Sequence, residues 1–146
     1  MINKEETTIG THCILVTSEG EIILQQRTID PNIVNSGKIA MFGGTIKTSE
    51  NLIKGLRREL LEELDLDINE YNVEKLGTYY KTQKLDGIDY TIHVFLVNGI
   101  KESDLKLHEG AGFAKGKIDT LLKNPNITRI TRLALKDLQK NSVLLF

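Results

Sequence analysis

Three glutamates within five residues are the most chemically suggestive feature of the sequence: Glu59, Glu62 and Glu63. On an α-helix, Glu59 and Glu63 lie one turn apart on the same face, and Glu62 lies to one side of them. Like charges at this spacing repel by roughly 0.2 to 0.5 kcal/mol per pair, and a bound Mg²⁺ would relieve that repulsion. A solvated helix face, with Arg58 paired to Glu62, is the alternative interpretation.

Two adjoining glycines, Gly43 and Gly44, precede this acidic segment. We expect them to form a turn immediately before the helix, where their backbone groups can approach a metal ion or a phosphate closely. Glu59 and Glu63 border the stripe formed by Leu52 and the leucines that follow it, which places them near the seam between helix and sheet. Both features favour a binding site over a solvated face.

The spacing between the glycines and the acids follows a known pattern. Gly44 is followed after five residues by Glu50, and after seven more by the segment 58–66, which reads Arg-Glu-Leu-Leu-Glu-Glu-Leu-Asp-Leu. This arrangement resembles the Nudix box of the MutT-like hydrolases, and every fixed position of the box is met except one. The box covers residues 44–66, and the order of strands and helices around it resembles the Nudix fold over nearly the whole chain.

The exception is Asp65, which stands where the family has glycine at the end of the helix. A residue with left-handed backbone conformation is common at the end of a helix, and Asp tolerates that conformation better than most residues other than glycine. We therefore expect a small cost in stability and unchanged chemistry. Phe42 stands where many relatives have proline and Lys47 where many have an acidic residue, and we expect these two changes to affect the substrate rather than the reaction.

The resemblance implies a divalent cation, Mg²⁺ with Mn²⁺ as an alternative, and assigns its ligands. Glu59 and Glu63 would be the principal ligands, with Glu62 a further ligand directly or through water. The backbone carbonyl of Gly44 would complete the shell, and the backbone of Gly43 and Gly44 would contact the substrate.

The resemblance also implies roles around the metal. Arg58 would orient the carboxylates, with Glu50 as its partner. The general base would be Glu59 or Glu109, because relatives differ in this respect. Arg27 would contact a substrate phosphate, a task that suits its planar charged group, although an edge-strand arginine facing water is the alternative.

The implied activity is metal-dependent hydrolysis of a pyrophosphate bond in a nucleoside diphosphate derivative. We expect the substrate to be a modified nucleoside triphosphate, which would give a nucleoside monophosphate and pyrophosphate. Nucleotide sugars and dinucleoside polyphosphates are alternative substrates. A sensor that binds a nucleotide without turnover is an alternative of a different class, although it would be favoured by missing glutamates and none is missing.

Apolar periodicity predicts the elements that must position this segment. Extended runs predict strands at residues 12–17, 21–27, 39–42, 73–81 and 89–97, with hairpins joining the first two and the last two. Leucines at every fourth position predict a helix over residues 49–64, capped by Thr48 or Ser49, and further helices are predicted at residues 118–122 and 128–139. Residues 28–38 and the glycine-rich segment 109–116 are predicted to be loops. We therefore predict an α/β fold, a Nudix-type α/β/α sandwich with a mixed sheet, as one domain over residues 1–146.

Composition excludes several classes of partner. The chain has 19 basic and 20 acidic residues and a formal net charge of −1, which disfavours a nucleic acid polymer. No segment is apolar enough to be a secretory signal or to span a membrane, and the single cysteine, Cys13, fits a buried strand residue in a reducing compartment. We expect a cytoplasmic protein with a small-molecule substrate. For the apolar tail 143–146, packing in the core and packing at the interface of a homodimer are alternative interpretations.

Other chemically suggestive residues favour structural roles. His12, His93 and His108 share no ligand spacing, which argues against a zinc site. Tyr79, Tyr80 and Phe113 are interpreted as core or sheet-packing aromatics rather than base-stacking residues.

Overall fold

The structure, a computed structural model, describes residues 7–32, 35–82, 88–108 and 110–144. Within these ranges the chain forms seven strands in one sheet and three α-helices. The strands are β1 (Thr7–Thr17), β2 (Ile22–Gln26), β3 (Ile39–Ala40), β4 (Phe42–Thr45), β5 (Asn72–Thr82), β6 (Asp89–Ile100) and β7 (Gly112–Gly116). The helices are α1 (Leu52–Leu64), α2 (Ile118–Leu122) and α3 (Arg129–Leu144), with short 3₁₀ helices at Ile68–Glu70 and Glu102–Asp104.

The sheet is mixed and is organised around β1. The strand order is β3-β2-β1-β6-β5, while β4 also pairs with β1 and β7 with β2. β1 runs parallel to β6 and antiparallel to β2 and β4. The predicted antiparallel pairing of β5 with β6 is confirmed, and residues 83–87 of the connection between them lie outside the described residues.

Alternation along β1 divides the core between the two faces of the sheet. Ile14 belongs to a cluster that includes residues of α2 and α3, whereas Cys13 and Leu15 belong to a second cluster with Leu56, Leu60 and Leu64 of α1. Each fully buried leucine contributes roughly 1.5 to 3 kcal/mol relative to an exposed one. Helices thus cover both faces, which confirms the predicted α/β/α sandwich, and the buried Cys13 is confirmed as a strand residue.

Two predictions around glycine were wrong. The segment 109–116 was expected to be a loop, but Gly112–Gly116 forms β7, in which Ala114 pairs with Leu24 of β2. The pair Gly43-Gly44 was expected to form a turn, but both residues lie inside β4 and pair with His12 and Thr11. In both segments a neighbouring strand supplies the backbone hydrogen bonds, so the ladder outweighs the low strand propensity of glycine.

The ends of α1 are fixed by side chains and by backbone geometry. The helix begins after Asn51, whose side chain accepts a 2.8 Å hydrogen bond from the Lys54 amide, so the predicted caps Thr48 and Ser49 were wrong. Ser49 instead has φ of 79° in the preceding turn. At the other end Asp65 has φ of 54°, and its amide donates to the Leu61 carbonyl at 3.1 Å. The expected left-handed helix end at Asp65 is therefore confirmed.

Candidate active site

Glu63 connects α1 to β4 through a partly buried hydrogen bond. Among the described residues it is the only charged side chain that is buried, with 6% of its surface exposed. The Gly43 amide donates to Glu63 Oε1 at 3.1 Å. Burying a carboxylate costs free energy unless the group is hydrogen-bonded or paired. The hydrogen bond from Gly43 therefore helps to offset the cost of burying Glu63. The expectation that Glu63 lies at the seam between helix and sheet is met.

Glu59 lies against the second glycine. A Cβ placed on Gly44 would lie 2.5 Å from both carboxylate oxygens of Glu59, which is closer than real Cβ contacts. Gly43 is also constrained, because its φ is +137° and a Cβ there would overlap the Thr11 carbonyl oxygen. The glycine pair therefore allows two carboxylates of α1 to approach the backbone of β4.

Arg58 is held beside these acids by Glu50. Its Nε and Nη2 atoms donate to the two carboxylate oxygens of Glu50 at 2.7 and 3.0 Å, and Nη2 also donates to the Thr45 carbonyl at 3.2 Å. The hydrogen bond from Arg58, assisted by the Lys47 amide, lowers the pKa of Glu50 to about 2. The same hydrogen bond raises the pKa of Arg58. Arg58 Nη1 is 3.5 Å from Glu59 Oε1. The guanidinium of Arg58 thus contacts both Glu50, in the loop before α1, and Glu59, on α1.

Glu62 is placed differently from the other two glutamates. Its side chain is 54% exposed, and its contact with Arg58 is a long one of 3.5 Å. In the described part of the chain, no three His, Cys, Asp or Glu side chains are close enough together to hold a metal ion. The structure thus brings Glu59 and Glu63 together at the glycine pair and leaves Glu62 at the rim.

The donors at the glycine pair suit a hard divalent cation. Two carboxylates, Glu59 and Glu63, adjoin a stretch of backbone where a Cβ on Gly44 would occupy the space that the Glu59 carboxylate takes. Mg²⁺ prefers oxygen ligands and usually keeps several waters, so one or two carboxylates suffice for it. The residues present therefore fit the ion that the motif implies.

A cleft of about 890 Å³ borders the glycine pair. Its wall includes Gly43, Gly44 and His12, together with residues from β5, β6 and the start of α3. Its basic side chains are Arg27, Lys38, Lys81 and Arg129. Burial, reinforced by the charges of Lys81 and Arg27, lowers the pKa of His12 to about 4, so its imidazole is neutral at pH 7. The cleft is suited to an anionic ligand that lies beside the glycine pair.

Comparison with known proteins agrees with the motif and the fold. The NUDIX domain matches this chain over residues 6–125. The chain belongs to the Nudix family. By sequence, no curated protein matches it significantly.

Several solved structures share the fold of this chain. The E. coli ORF135 protein has a TM-score of 0.78 at 20% identity, with 99% of this chain and 96% of that chain covered. The MutT protein from Methanosarcina mazei Go1 has a TM-score of 0.80 at 17% identity, with 97% and 99% covered. A C. elegans Ap4A hydrolase has a TM-score of 0.71 at 14% identity, with 94% and 97% covered. The fold is thus shared over nearly the full length of this chain. As a member of the Nudix family, the protein is a hydrolase of pyrophosphate bonds.

The remaining predicted residues of this Nudix hydrolase fall into two groups. Arg27 lines the cleft, as a phosphate-binding residue would. Glu109 lies outside the described residues, so its candidacy as the base stays a prediction. The chain just before it is attached to α1, because the His108 amide donates to the Glu63 carbonyl at 2.9 Å and His108 Nε2 lies 3.1 Å from Asp65 Oδ2.

The aromatic residues are placed only partly as expected. Tyr79 is buried and donates to Asp137 at 2.5 Å, and Phe113 packs edge-on against Phe42, so both are confirmed as packing residues. Tyr80 is 69% exposed and lines the cleft, so its assignment to the core was wrong. Adjoining strand residues point to opposite faces, and this alternation is the signal that would have separated Tyr80 from Tyr79.

The other predictions concern zinc and membranes. His93 lies on β6 opposite Thr11, the residue before His12 on β1, and His108 lies in the segment after Glu102–Asp104. No helix in the described ranges is long and apolar enough to cross a membrane.

Proposed function

We propose that this chain is a Mg²⁺-dependent Nudix hydrolase of a nucleoside diphosphate derivative, with a modified nucleoside triphosphate as the preferred substrate. The products would be a nucleoside monophosphate and pyrophosphate. The observation that carries the proposal is the close approach of Glu59 and Glu63 to Gly44 and Gly43 at the edge of a basic cleft. We further propose a cytoplasmic, single-domain enzyme over residues 1–146, active on small molecules as a monomer or a homodimer.

Glu59 and Glu63, with the carbonyl of Gly44, would hold the cation, and Glu62 at the rim would act directly or through water. When bound, the cation would offset negative charge on the substrate and would lower the pKa of a water molecule. Mn²⁺ has similar preferences for oxygen ligands and could replace Mg²⁺.

The protein residues around the cation would position and activate the reactants. Arg58, fixed by Glu50, would hold Glu59 in place, and Arg27 would bind a substrate phosphate. Water would attack one phosphorus, the bond to the bridging oxygen would break, and the leaving phosphate group would take the electron pair. Glu59 or Glu109 would accept the proton released by the water.

Dinucleoside polyphosphates and nucleotide sugars are alternative substrates for the same chemistry. The C. elegans neighbour is named as an Ap4A hydrolase, which supports the first of these. A nucleotide sensor without turnover is disfavoured, because Glu59, Glu62 and Glu63 are all present together with Arg58 and Glu50.

A substrate panel tests this function directly. Modified and unmodified nucleoside triphosphates, dinucleoside polyphosphates and nucleotide sugars would be incubated with the full chain and Mg²⁺ or Mn²⁺. Phosphorus NMR of the products would identify the bond that breaks. We expect a nucleoside monophosphate and pyrophosphate from a triphosphate, and no reaction in the presence of a chelator. Absence of hydrolysis across the panel with both metals would refute the proposal.

A further inference from the structure

The cleft concentrates positive charge that the rest of the chain does not share. The chain has 19 basic and 20 acidic residues, yet the described residues that line the cleft include Arg27, Lys38, Lys81 and Arg129 and no Asp or Glu. Clefts lined by charge of one sign raise the local concentration of an oppositely charged ligand. The lining charges therefore favour an anionic ligand.

Two of these cations, Arg27 and Lys38, lie next to each other just beyond the ends of β2 and β3. The Arg27 amide donates to the Lys38 carbonyl at 2.9 Å, immediately after the last pair of the ladder, Gln26 and Ile39, and both residues line the cleft. Their side chains therefore add charge of the same sign to one part of the cleft.

Arg129 is joined to the same region through β3. Ile39, which follows Lys38, donates from its amide to the Asn126 carbonyl at 2.9 Å and accepts at 3.0 Å from the Thr128 amide. Lys38 and Arg129 thus flank one junction, where β3 meets the start of α3. One side of the cleft carries both cations.

Lys38 and Arg129 differ from other basic residues in their partners. Arg57 pairs with Asp67 at 2.9 Å, and Lys115 pairs with Glu102 at 2.8 Å. Within the described ranges, by contrast, the side chains of Lys38 and Arg129 form no ion pair with an acid. Two cations that face a cleft without internal partners are suited to a ligand.

We propose that the Lys38 and Arg129 side of the cleft binds a second anionic group of the substrate, in addition to the pyrophosphate that is cut. This inference rests on the proposed function for the position of the pyrophosphate. The second group is a phosphate, carried either as a monoester elsewhere on the molecule or as an additional phosphate of a longer chain. The guanidinium of Arg129 offers a planar, two-contact match to phosphate oxygens, and Lys38 adds a point charge.

Matched ligand pairs that differ by one phosphate test the proposal. Binding would be measured by calorimetry on the full chain carrying Glu63→Gln, so that turnover does not interfere. One arm compares coenzyme A with dephospho-coenzyme A and NADP with NAD, which tests a monoester. The other arm compares diadenosine tetraphosphate with diadenosine triphosphate, which tests a longer chain. We expect the member with the additional phosphate to bind roughly tenfold more tightly in at least one arm, and that arm identifies the source.

Variants then locate the preference within the protein. The double variant Lys38→Gln with Arg129→Gln should reduce the affinity ratio within the pair to about one to three, the loss expected from removing two charge-assisted contacts. Lys136→Gln, on the same helix as Arg129, and Lys54→Gln, on α1, are exposed controls outside the cleft and should leave the ratio unchanged.

Each other outcome overturns a specific claim. Equal affinity within both arms, or a ratio that survives the double variant, refutes the second anion site. If the wild type hydrolyses substrates of the panel but the affinities within both arms are equal, the second anion site is refuted and the proposed function is retained. A preserved preference for the additional phosphate without any metal-dependent hydrolysis refutes the proposed function and leaves the anion site standing.

Discussion

The carboxylate of Glu59 lies so close to Gly44 that a Cβ on this glycine would be 2.5 Å from both of its oxygens. One turn later on α1, Glu63 accepts a hydrogen bond from the Gly43 amide. These two contacts align the acidic face of a helix with a side-chain-free segment of a strand. The glycines at the start of the motif are therefore needed for the approach of the acids and not for a turn.

Replacing Gly44 should mainly reduce activity, whereas replacing Gly43 should mainly reduce stability. In Gly44→Ala the new methyl group meets the end of the flexible Glu59 side chain, which can rotate away. We expect a folded protein whose kcat/KM is lower by roughly 10 to 100-fold, the loss typical when the support of a metal ligand is disturbed. In Gly43→Ala the methyl group meets the Thr11 backbone at a φ of +137°, and the free energy of unfolding should fall by about 1 to 3 kcal/mol.

Steady-state kinetics and urea unfolding would separate these effects. Gly116→Ala is a suitable control, because the nearest atom to its added Cβ is 3.8 Å away. A Gly44→Ala enzyme with wild-type kcat/KM would show that Glu59 does not need its observed position.

Arg58→Lys should reduce activity more than stability. Lysine cannot reproduce the two contacts that Arg58 makes with Glu50 at 2.7 and 3.0 Å. We expect a loss of roughly 10 to 100-fold in kcat/KM and a small change in Tm, since the pair is partly exposed to solvent. Arg57→Lys is a matched control, because Arg57 makes a similar two-contact pair with Asp67 on an exposed part of the surface. Equal losses of activity in both variants would contradict a positioning role for Arg58.

The Glu50 pair predicts a specific dependence of stability on acid pH. The pKa of Glu50 is about 2 in the folded chain against an ordinary value of 4.5. Because the folded value is lowered, the pair contributes its full stabilisation above about pH 4.5 and loses it as pH falls through about 2. Unfolding measured between roughly pH 5 and pH 2 should show a shallower decline for Glu50→Gln than for the wild type. Glu74→Gln, an exposed control on β5, should keep the wild-type slope, and identical slopes for Glu50→Gln would contradict the assignment.

Asp65→Gly should stabilise the chain. Asp65 holds a left-handed conformation with φ of 54°, which glycine adopts without steric cost. The contact between Asp65 and His108 is about half exposed on both sides and contributes little. We expect the free energy of unfolding to rise by about 0.5 to 1 kcal/mol with kcat/KM unchanged. A decrease in stability would show that the contact with His108 outweighs the backbone cost.

Much of the site follows from local sequence pattern. The leucine repeat and the spacing of Glu59 and Glu63 indicate which face of α1 packs on the sheet, because residues three or four apart lie on the same face of a helix. Strand β7 was not predicted, because it is stabilised by pairing with β2, which is distant in sequence. The glycine-rich sequence of β7 alone has a low strand propensity. The basic cleft was not predicted for a similar reason, since Lys38, Lys81 and Arg129 are far apart in sequence and meet only in the fold.

Mg²⁺ titration of Glu63→Gln tests the central claim most directly. Glutamine keeps an oxygen that can accept the hydrogen bond from the Gly43 amide but removes the charge, so Tm should be preserved. We expect calorimetry to show weaker Mg²⁺ binding and kinetics to show a loss of kcat of roughly 100-fold or more, while the exposed control Glu70→Gln behaves as the wild type. Wild-type Mg²⁺ affinity and turnover in Glu63→Gln would contradict the assignment of this buried acid as a metal ligand.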